Sequence, residues 1–435
     1  QWCGQFRGVK GKVSCTVSLN DFTDRRPALM LPIVLTLLAL PAHQHHFFSR
    51  LIPLWQAIPG RVNARNFSRY SGWNERTLRR WFQKQLPWGE LHWGLLYLLV
   101  RLKVLDGRFI LALDATFVPK SGRKTAGLGA FWNGASHRSE TGLELSCLAL
   151  LSWSGHHAFP VQVQQTQPRR EKHDRLEQYQ AQLVAFLEQR RTWLQQHLRV
   201  VVADGQYAKT MFMDAVSREG YAFVTKLQCN ANLLSPFSGP HPKRRGGRQK
   251  WAGKVDFKSF DGWASVPGEK RERVWTQVAW APHYKRFLRV VVIQNLNRRG
   301  EVQGHVVLCS TDTAMPAQQI RSLYSARFRL EFVFRDVKQF AGLNTCQLRS
   351  SLSLENHWNA ALFAVSLGRA EVLLDDAGRC KRPASWLPCS YEDVKRRAYN
   401  QLFAHRILRH LGLAARFDEL QNHPASPLHL GVKVA

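Results

Sequence analysis

The stretch "YSARFRLEFVFRDVK" (324–338) carries residue types that act on phosphodiesters, at a spacing that puts them together. Tyr324, Arg327, Glu331 and Lys338 stand at offsets of three, seven and fourteen. At roughly 100° per residue they share a stripe about 60° wide on one helix. Leu330, Val333, Val337 and Phe340 gather on another side and predict the stripe that faces a core. A phenol, two cations and one carboxylate on a single edge suit an anion and a metal ion. The bland alternative is a surface helix salt-bridged to itself, since Arg327 and Glu331 are i,i+4 partners.

Two further carboxylates stand where apolar strands run out. In "ILALDAT", Asp114 follows a strand and precedes a polar turn; in "VVVADGQY", Asp204 does the same, with Gly205 allowing a sharp exit. A charge at the end of a buried strand costs stability unless it is paired or metal-bound. With Glu331 on a facing helix, the two could place three hard oxygen ligands around one point, a donor set for Mg²⁺ or Mn²⁺. Two such ions, about 3.5–4 Å apart, activate a nucleophile and steady the leaving oxygen of a phosphodiester. Either aspartate alone serves equally well as a cap or turn residue.

In that order, Asp114, Asp204 and Glu331 resemble the DDE triad of transposases with an RNase H-like catalytic core. The spacing of Tyr324, Arg327, Glu331 and Lys338 matches the Tyr-Arg-Glu-Lys signature of bacterial insertion-sequence transposases of family four. The resemblance spans roughly residues 108–341 and implies an α/β fold, an RNase H-like mixed sheet interrupted by a β-rich insertion. By this resemblance Asp114, Asp204 and Glu331 are catalytic and hold Mg²⁺, with Mn²⁺ as a substitute. Tyr324 and Arg327 contact phosphates near the cleaved end, with Lys338 on the same strand or its partner. The partners implied are double-stranded DNA, as transposon ends and target, and a second copy of the chain in the DNA complex. The implied reaction is hydrolysis at terminal inverted repeats, then strand transfer, with the second strand cut through a hairpin. A nuclease on the same core without strand transfer, and an inactive transposase-derived DNA-binding regulator, are the alternatives. The resemblance also implies that a Trp of the insertion stacks on a flipped base; Trp251, Trp263, Trp275 and Trp280 all lie there, and the sequence does not choose among them.

The composition agrees with a polyanionic partner. Lys and Arg number 62 against 31 Asp and Glu, for a formal net charge of +31. Apolar residues make up 45%, which excludes wholesale disorder. In "ARNFSRYSGWNERTLRRWFQKQLP" (64–87), a short helix with Phe67 and Tyr70 meets a turn at Gly72. Asn74 then caps a second helix that Pro87 stops, with Leu78, Trp81 and Phe82 buried. Arg76, Arg80 and Lys84 recur every four residues on another face, so the second helix of this helix-turn-helix is a candidate for the major groove. A plain helical hairpin with a solvated basic face is its alternative. Thr116 and Lys120, and the cluster "PKRRGGRQK" (242–250), are further candidates for backbone contact. His357 and Asn359 are expected to support the Glu331 helix rather than react.

Along the chain, residues 1–29 read as an uncertain leader or read-through. Residues 30–106 read as a helical DNA-binding region, and 107–227 as the first part of an α/β layer core in which strands and helices alternate. Residues 228–310 form the β-rich insertion, 311–345 the second part of the core, and 346–435 a helical C-terminal region. One helix is expected at about 316–341. The run "RRPALMLPIVLTLLALPA" (25–42) looks like a secretory signal but is too short to span a bilayer, and a core helix is its other reading. The eight cysteines form no C-x-x-C pair, so reduced thiols are expected in a cytoplasmic, nucleoid-associated protein without a membrane span. A zinc site on Cys380 and Cys389 fits no usual spacing.

Overall fold

The computed structural model describes residues 30–168, 174–239, 249–379, 390–423 and 426–432. The leader, residues 240–248 of the basic loop, and the pair Cys380 and Cys389 lie outside the described residues.

Five helices come first: α1 (Met30–Leu37), α2 (Ala42–Ala57), α3 (Ala64–Ser71), α4 (Glu75–Trp81) and α5 (Trp88–Arg101). Met30, Leu31, Val34 and Leu35 of the apolar run are buried in α1. Gly94 of α5 lets that helix approach closely, since a Cβ there would stand 3.4 Å from Val34 and Leu38. Asn63 caps α3 by accepting from the Asn66 amide at 2.9 Å, and Gly72 ends it in the left-handed conformation at φ 71°. Asn74 caps α4 through the Arg76 amide at 2.9 Å. Phe67, Leu78 and Phe82 are buried, Phe82 against Phe47 and Trp55 of α2, and Trp81 stacks on Phe47 at 4.3 Å. The second helix stops at Trp81, well short of Pro87. Asn356 donates to the carbonyls of Phe82 and Lys84 at 2.8 and 2.9 Å, so those groups need no further helical turn.

The sheet follows. Its strands are β1 (Phe109–Pro119), β2 (Gly129–Asn133), β3 (Arg138–Ser152), β4 (Ala158–Thr166), β5 (Leu198–Ala203) and β6 (Ala222–Leu227), then β7 (Leu234–Pro236), β8 (Trp251–Lys254), β9 (Ala264–Val266), β10 (Glu272–Ala281), β11 (Arg286–Leu296) and β12 (Val302–Ser310). Helices α6 (Asp174–Gln189) and α7 (Arg191–His197) precede β5, and α8 (Thr210–Arg218) connects β5 to β6. β4 pairs with β3, and from β3 the order is β1, β5, β6, β12, β11, β10, β7, β8. β1 runs parallel to β5 and β5 to β6; β3 and β4 are antiparallel. This order and these directions are those of an RNase H-like mixed sheet. The strands of residues 234–310 do not form a separate layer: β12 pairs with β6 from Val307↔Leu227 to Ser310↔Val224 and extends the same sheet.

Helices α9 (Ala317–Ala326), α10 (Phe328–Phe340), α11 (Ser351–Arg379), α12 (Tyr391–His410) and α13 (Phe417–Asn422) complete the chain. The single helix expected at 316–341 is interrupted at Arg327. There the ladder tightens to i→i+3 bonds, Arg327 N to Tyr324 O at 3.2 Å and Leu330 N to Arg327 O at 2.9 Å. The backbone of Arg327 stays right-handed, at φ −54° and ψ −36°. α11 is buried nearly all round between Leu354 and Leu374, and it contacts α2, α5 and β4.

α10 is tied down at several points. Trp55 Nε1 donates to the Ala341 carbonyl at 3.0 Å, and His357 Nε2 lies 2.9 Å from the Gly342 carbonyl. Asn359 bonds within its own helix, to the Glu355 carbonyl. Asp336 of α10 meets Arg369 of α11 at 2.7 Å, both groups buried. Arg369→Met is expected to lower unfolding stability by about 2 kcal/mol, because buried Asp336 loses its buried partner at Oδ2 and keeps the exposed Arg335 at Oδ1. Adding Asp336→Leu is expected to recover most of that loss, and urea denaturation of both variants checks it.

Candidate active site

Asp114 does not end a strand. β1 continues through it to Pro119, because β3 pairs with that whole length, Asp114 opposite Cys147. The parallel pairing of β1 with β5 does end there, at Leu113↔Ala203. Asp114 and Asp204 are therefore the next residues of two adjacent parallel strands, at the carboxyl edge of the pairing, where α/β sheets gather ligands. Gly205 keeps an ordinary backbone. Its missing side chain makes lateral room, since a Cβ would stand 3.1 Å from the Lys226 carbonyl of β6. Thr225 Oγ1 donates to the Asp204 carbonyl at 3.0 Å and holds the turn to β6.

The joint between α9 and α10 faces this edge. Arg327 Nη1 lies 2.9 Å from Asp114 Oδ2 and 3.0 Å from Glu331 Oε1, and Nη2 lies 3.9 Å from Asp204 Oδ1. The Tyr324 hydroxyl donates to Asp204 Oδ1 at 2.8 Å. Three carboxylates from β1, the end of β5 and α10 thus converge on one guanidinium. Arg327 is 7% exposed and Asp114 13%, whereas Asp204 and Glu331 are 43% and 45% exposed, so the cluster opens to solvent on their side. Arg327 also lies over the Tyr324 and Phe328 rings, at 5.5 and 4.9 Å, and its Nε is buried without a partner.

The electrostatics follow from this geometry. Burial pushes the Asp114 carboxyl up to about 7, against the opposing pull of Arg327 and the Ala115 amide and with the help of the charges on Glu331 and Asp204. Burial alone would weaken the base strength of Arg327; Asp114, Asp204, Tyr324 and Glu331 outweigh it and raise its pKa. Burial and then Asp204 raise the Tyr324 phenol, keeping it a donor.

The other residues singled out in the sequence are not brought to this point. Lys338 stands on α10 two turns beyond Glu331, about 10 Å at 1.5 Å per residue, half-buried and with its pKa lowered by burial. Arg76 and Arg80 project from α4 into solvent, and Lys84 lies past its end with its ammonium 4.5 Å from the Trp81 ring centre. Trp251 stacks on Trp280 at 5.6 Å, and Trp275 on Phe260 at 5.1 Å; Trp263 meets Phe260 edge-on. Tyr207 escapes a reading of the sequence. It is fully buried, and after burial the charge of Asp114 is the next cause raising its pKa. Its position three residues after Asp204 was the only available signal.

A family model described as DDE superfamily endonuclease matches residues 60–286, just over half of the chain and including Asp114 and Asp204. The chain belongs to the DDE superfamily of endonucleases. Membership implies a DNA substrate, and DDE nucleases generally use divalent metals. A comparison with curated proteins finds no match. Among the described residues of this DDE endonuclease, no group of three or more His, Cys, Asp or Glu side chains stands at metal-ligand spacing. The three carboxylates are instead spaced by the guanidinium they share. In chemistry, though not in spacing, they are the hard oxygen donors that a divalent cation takes, and two of them are open to solvent. Among the described residues no helix is long and apolar enough to cross a membrane.

Proposed function

We propose that this DDE endonuclease is the transposase of an insertion sequence of family four, cutting DNA at the element's terminal inverted repeats and joining the freed 3′-hydroxyl to target DNA. The convergence of Asp114, Asp204 and Glu331 on Arg327 carries this reading. The Tyr-Arg-Glu-Lys spacing, of which Tyr324, Arg327 and Glu331 meet in space, supports the assignment to family four.

In this reading Asp114, Asp204 and Glu331 hold Mg²⁺ or Mn²⁺, whose chemistry when bound is to acidify a nucleophilic oxygen and to stabilise the departing one. The chain's own residues do the rest. Tyr324 fixes Asp204 through its hydroxyl. Arg327, held by the carboxylates in the free protein, turns to the substrate's phosphates when DNA and cations enter, where its planar donors suit phosphate oxygens. Lys338, further along α10, meets the backbone on the same side. α4 presents Arg76 and Arg80 to the DNA groove, with Lys84 beside them. Two copies acting on paired ends complete the reading.

The test uses the full chain with Mg²⁺, a duplex ending in the pre-cut terminal repeat, and a supercoiled target plasmid. Joined products are the expected result. Cutting of uncut repeats with no joining in any divalent metal would leave a nuclease and remove the transposase reading.

A further inference from the structure

Beyond Asp114, β1 ends at Pro119, and Lys120 follows it into a cleft of about 1170 Å³. Arg61, Arg79, Lys120 and Arg349 all line this cleft, which lies between the α3–α4 hairpin and the turn before α11. Among the described residues, no Asp or Glu lines it. Arg79 is committed to Glu75, but among the described residues Arg61 and Arg349 have no ion-pair partner, and both are exposed. The Lys120 ammonium donates to the Cys346 carbonyl; burial lowers its pKa, Cys346 opposes that shift and the charge of Arg349 adds to it. Arg61 and Arg349 thus face the same concavity as Lys120 without an ion-pair partner among the described residues. On a chain of net charge +31, scattered surface cations need no ligand; convergent, uncompensated ones are what a phosphate backbone relieves.

We propose that this cleft seats the sugar–phosphate backbone of duplex DNA about six base pairs from the bond cut at the Asp114 cluster. The proposal rests on the catalytic reading of Asp114. The distance comes from β1 itself. Asp114 and Lys120 are six residues apart on one extended segment, about 20 Å at ~3.3 Å per residue; with the duplex axis laid along β1, as the proposal has it, a rise of 3.4 Å per base pair makes that roughly six. Arg79 and Gln83, on α4 and just past its end, line both this cleft and the surface hollow that Arg76 and Arg80 share, so backbone entering the cleft lies beside α4. A duplex is favoured over a single strand because no aromatic side chain among the described residues lines the cleft, and single-strand channels stack bases on aromatic rings.

The experiment measures binding of the full chain to a fluorescein-labelled 30-base-pair duplex, and to a 30-nucleotide single strand, by anisotropy between 50 and 200 mM salt. Arg349→Gln is expected to reduce the slope of log K against log salt by about one, and Lys120→Gln with Arg349→Gln by about two, with duplex affinity down about tenfold or more. Arg349→Lys is expected to keep the wild-type slope. Phosphate ethylation about six nucleotides from the cut is expected to block wild-type binding but not that of the double variant. A wild-type duplex slope in a double variant that melts normally overturns the proposal, as does a loss confined to the single strand. If wild-type protein cuts DNA while that slope is unchanged, the cleft assignment alone fails. If the slope falls but no metal supports cutting, the catalytic reading and the six-base-pair register fail together, and the cleft remains a duplex-binding surface.

Discussion

Glu331→Gln is expected to slow Mg²⁺-dependent cleavage of duplex DNA by about a thousandfold or more, equivalent to at least about 4 kcal/mol of barrier. The substitution is nearly isosteric. Glu331 is half-exposed and, among the described residues, pairs with the Arg327 guanidinium, from which an amide oxygen can still accept, so the fold is expected to stand. What disappears is one of the three anionic oxygens around the shared cation. Affinity for DNA is expected to hold or rise slightly, because the change removes a negative charge beside the phosphates and keeps the neighbouring cations. Paired cleavage and anisotropy measurements on wild type and variant check both halves. Equal cleavage rates would take Glu331 out of the chemistry, leaving Asp114 and Asp204 without their partner on α10.

The second large effect is on Arg327. In Arg327→Met the three carboxylates lose the cation they share. The cost falls mainly on buried Asp114, since Asp204 and Glu331 are nearly half-exposed and screened by solvent. A loss of about 1–3 kcal/mol in EDTA is expected. With Arg327 gone, a divalent cation has no resident competitor, so 1 mM Mn²⁺ is expected to restore stability in the variant by more than it raises that of wild type. At a hundredfold excess over the dissociation constant the gain is about 2.7 kcal/mol. Thermal melts of both proteins with EDTA and with Mn²⁺ provide the comparison, with no dependence on turnover. A variant no more responsive to Mn²⁺ than wild type would mean that the guanidinium does not stand where cations bind.

Much of the site is legible in the sequence because helical periodicity is local. Tyr324, Arg327 and Glu331 do share one side of their segment, and the bond between Tyr324 and Asp204 follows from it. Caps are local too, as Asn74 shows. The tightened joint at Arg327 was not readable: both flanking segments have helical patterns, and the break coincides with a side chain drawn to carboxylates contributed by distant strands. Nor was the length of α4, which is cut short where a side chain of α11 takes its carbonyls.

Taken alone, the amino-acid sequence determined the residue types, their spacing on α10, the apolar runs that become β1 and β5, and the basic charge. Those properties depend on neighbours within a few residues, where backbone hydrogen bonds and side-chain periodicity act. Tertiary structure alone decided that β1 passes through Asp114 to Lys120, that residues 234–310 prolong the core sheet, and that Asp114 meets Arg327 from 213 positions away. Those outcomes depend on strand register, such as Leu113 against Ala203, and register is set by packing across the whole sheet rather than within any one segment.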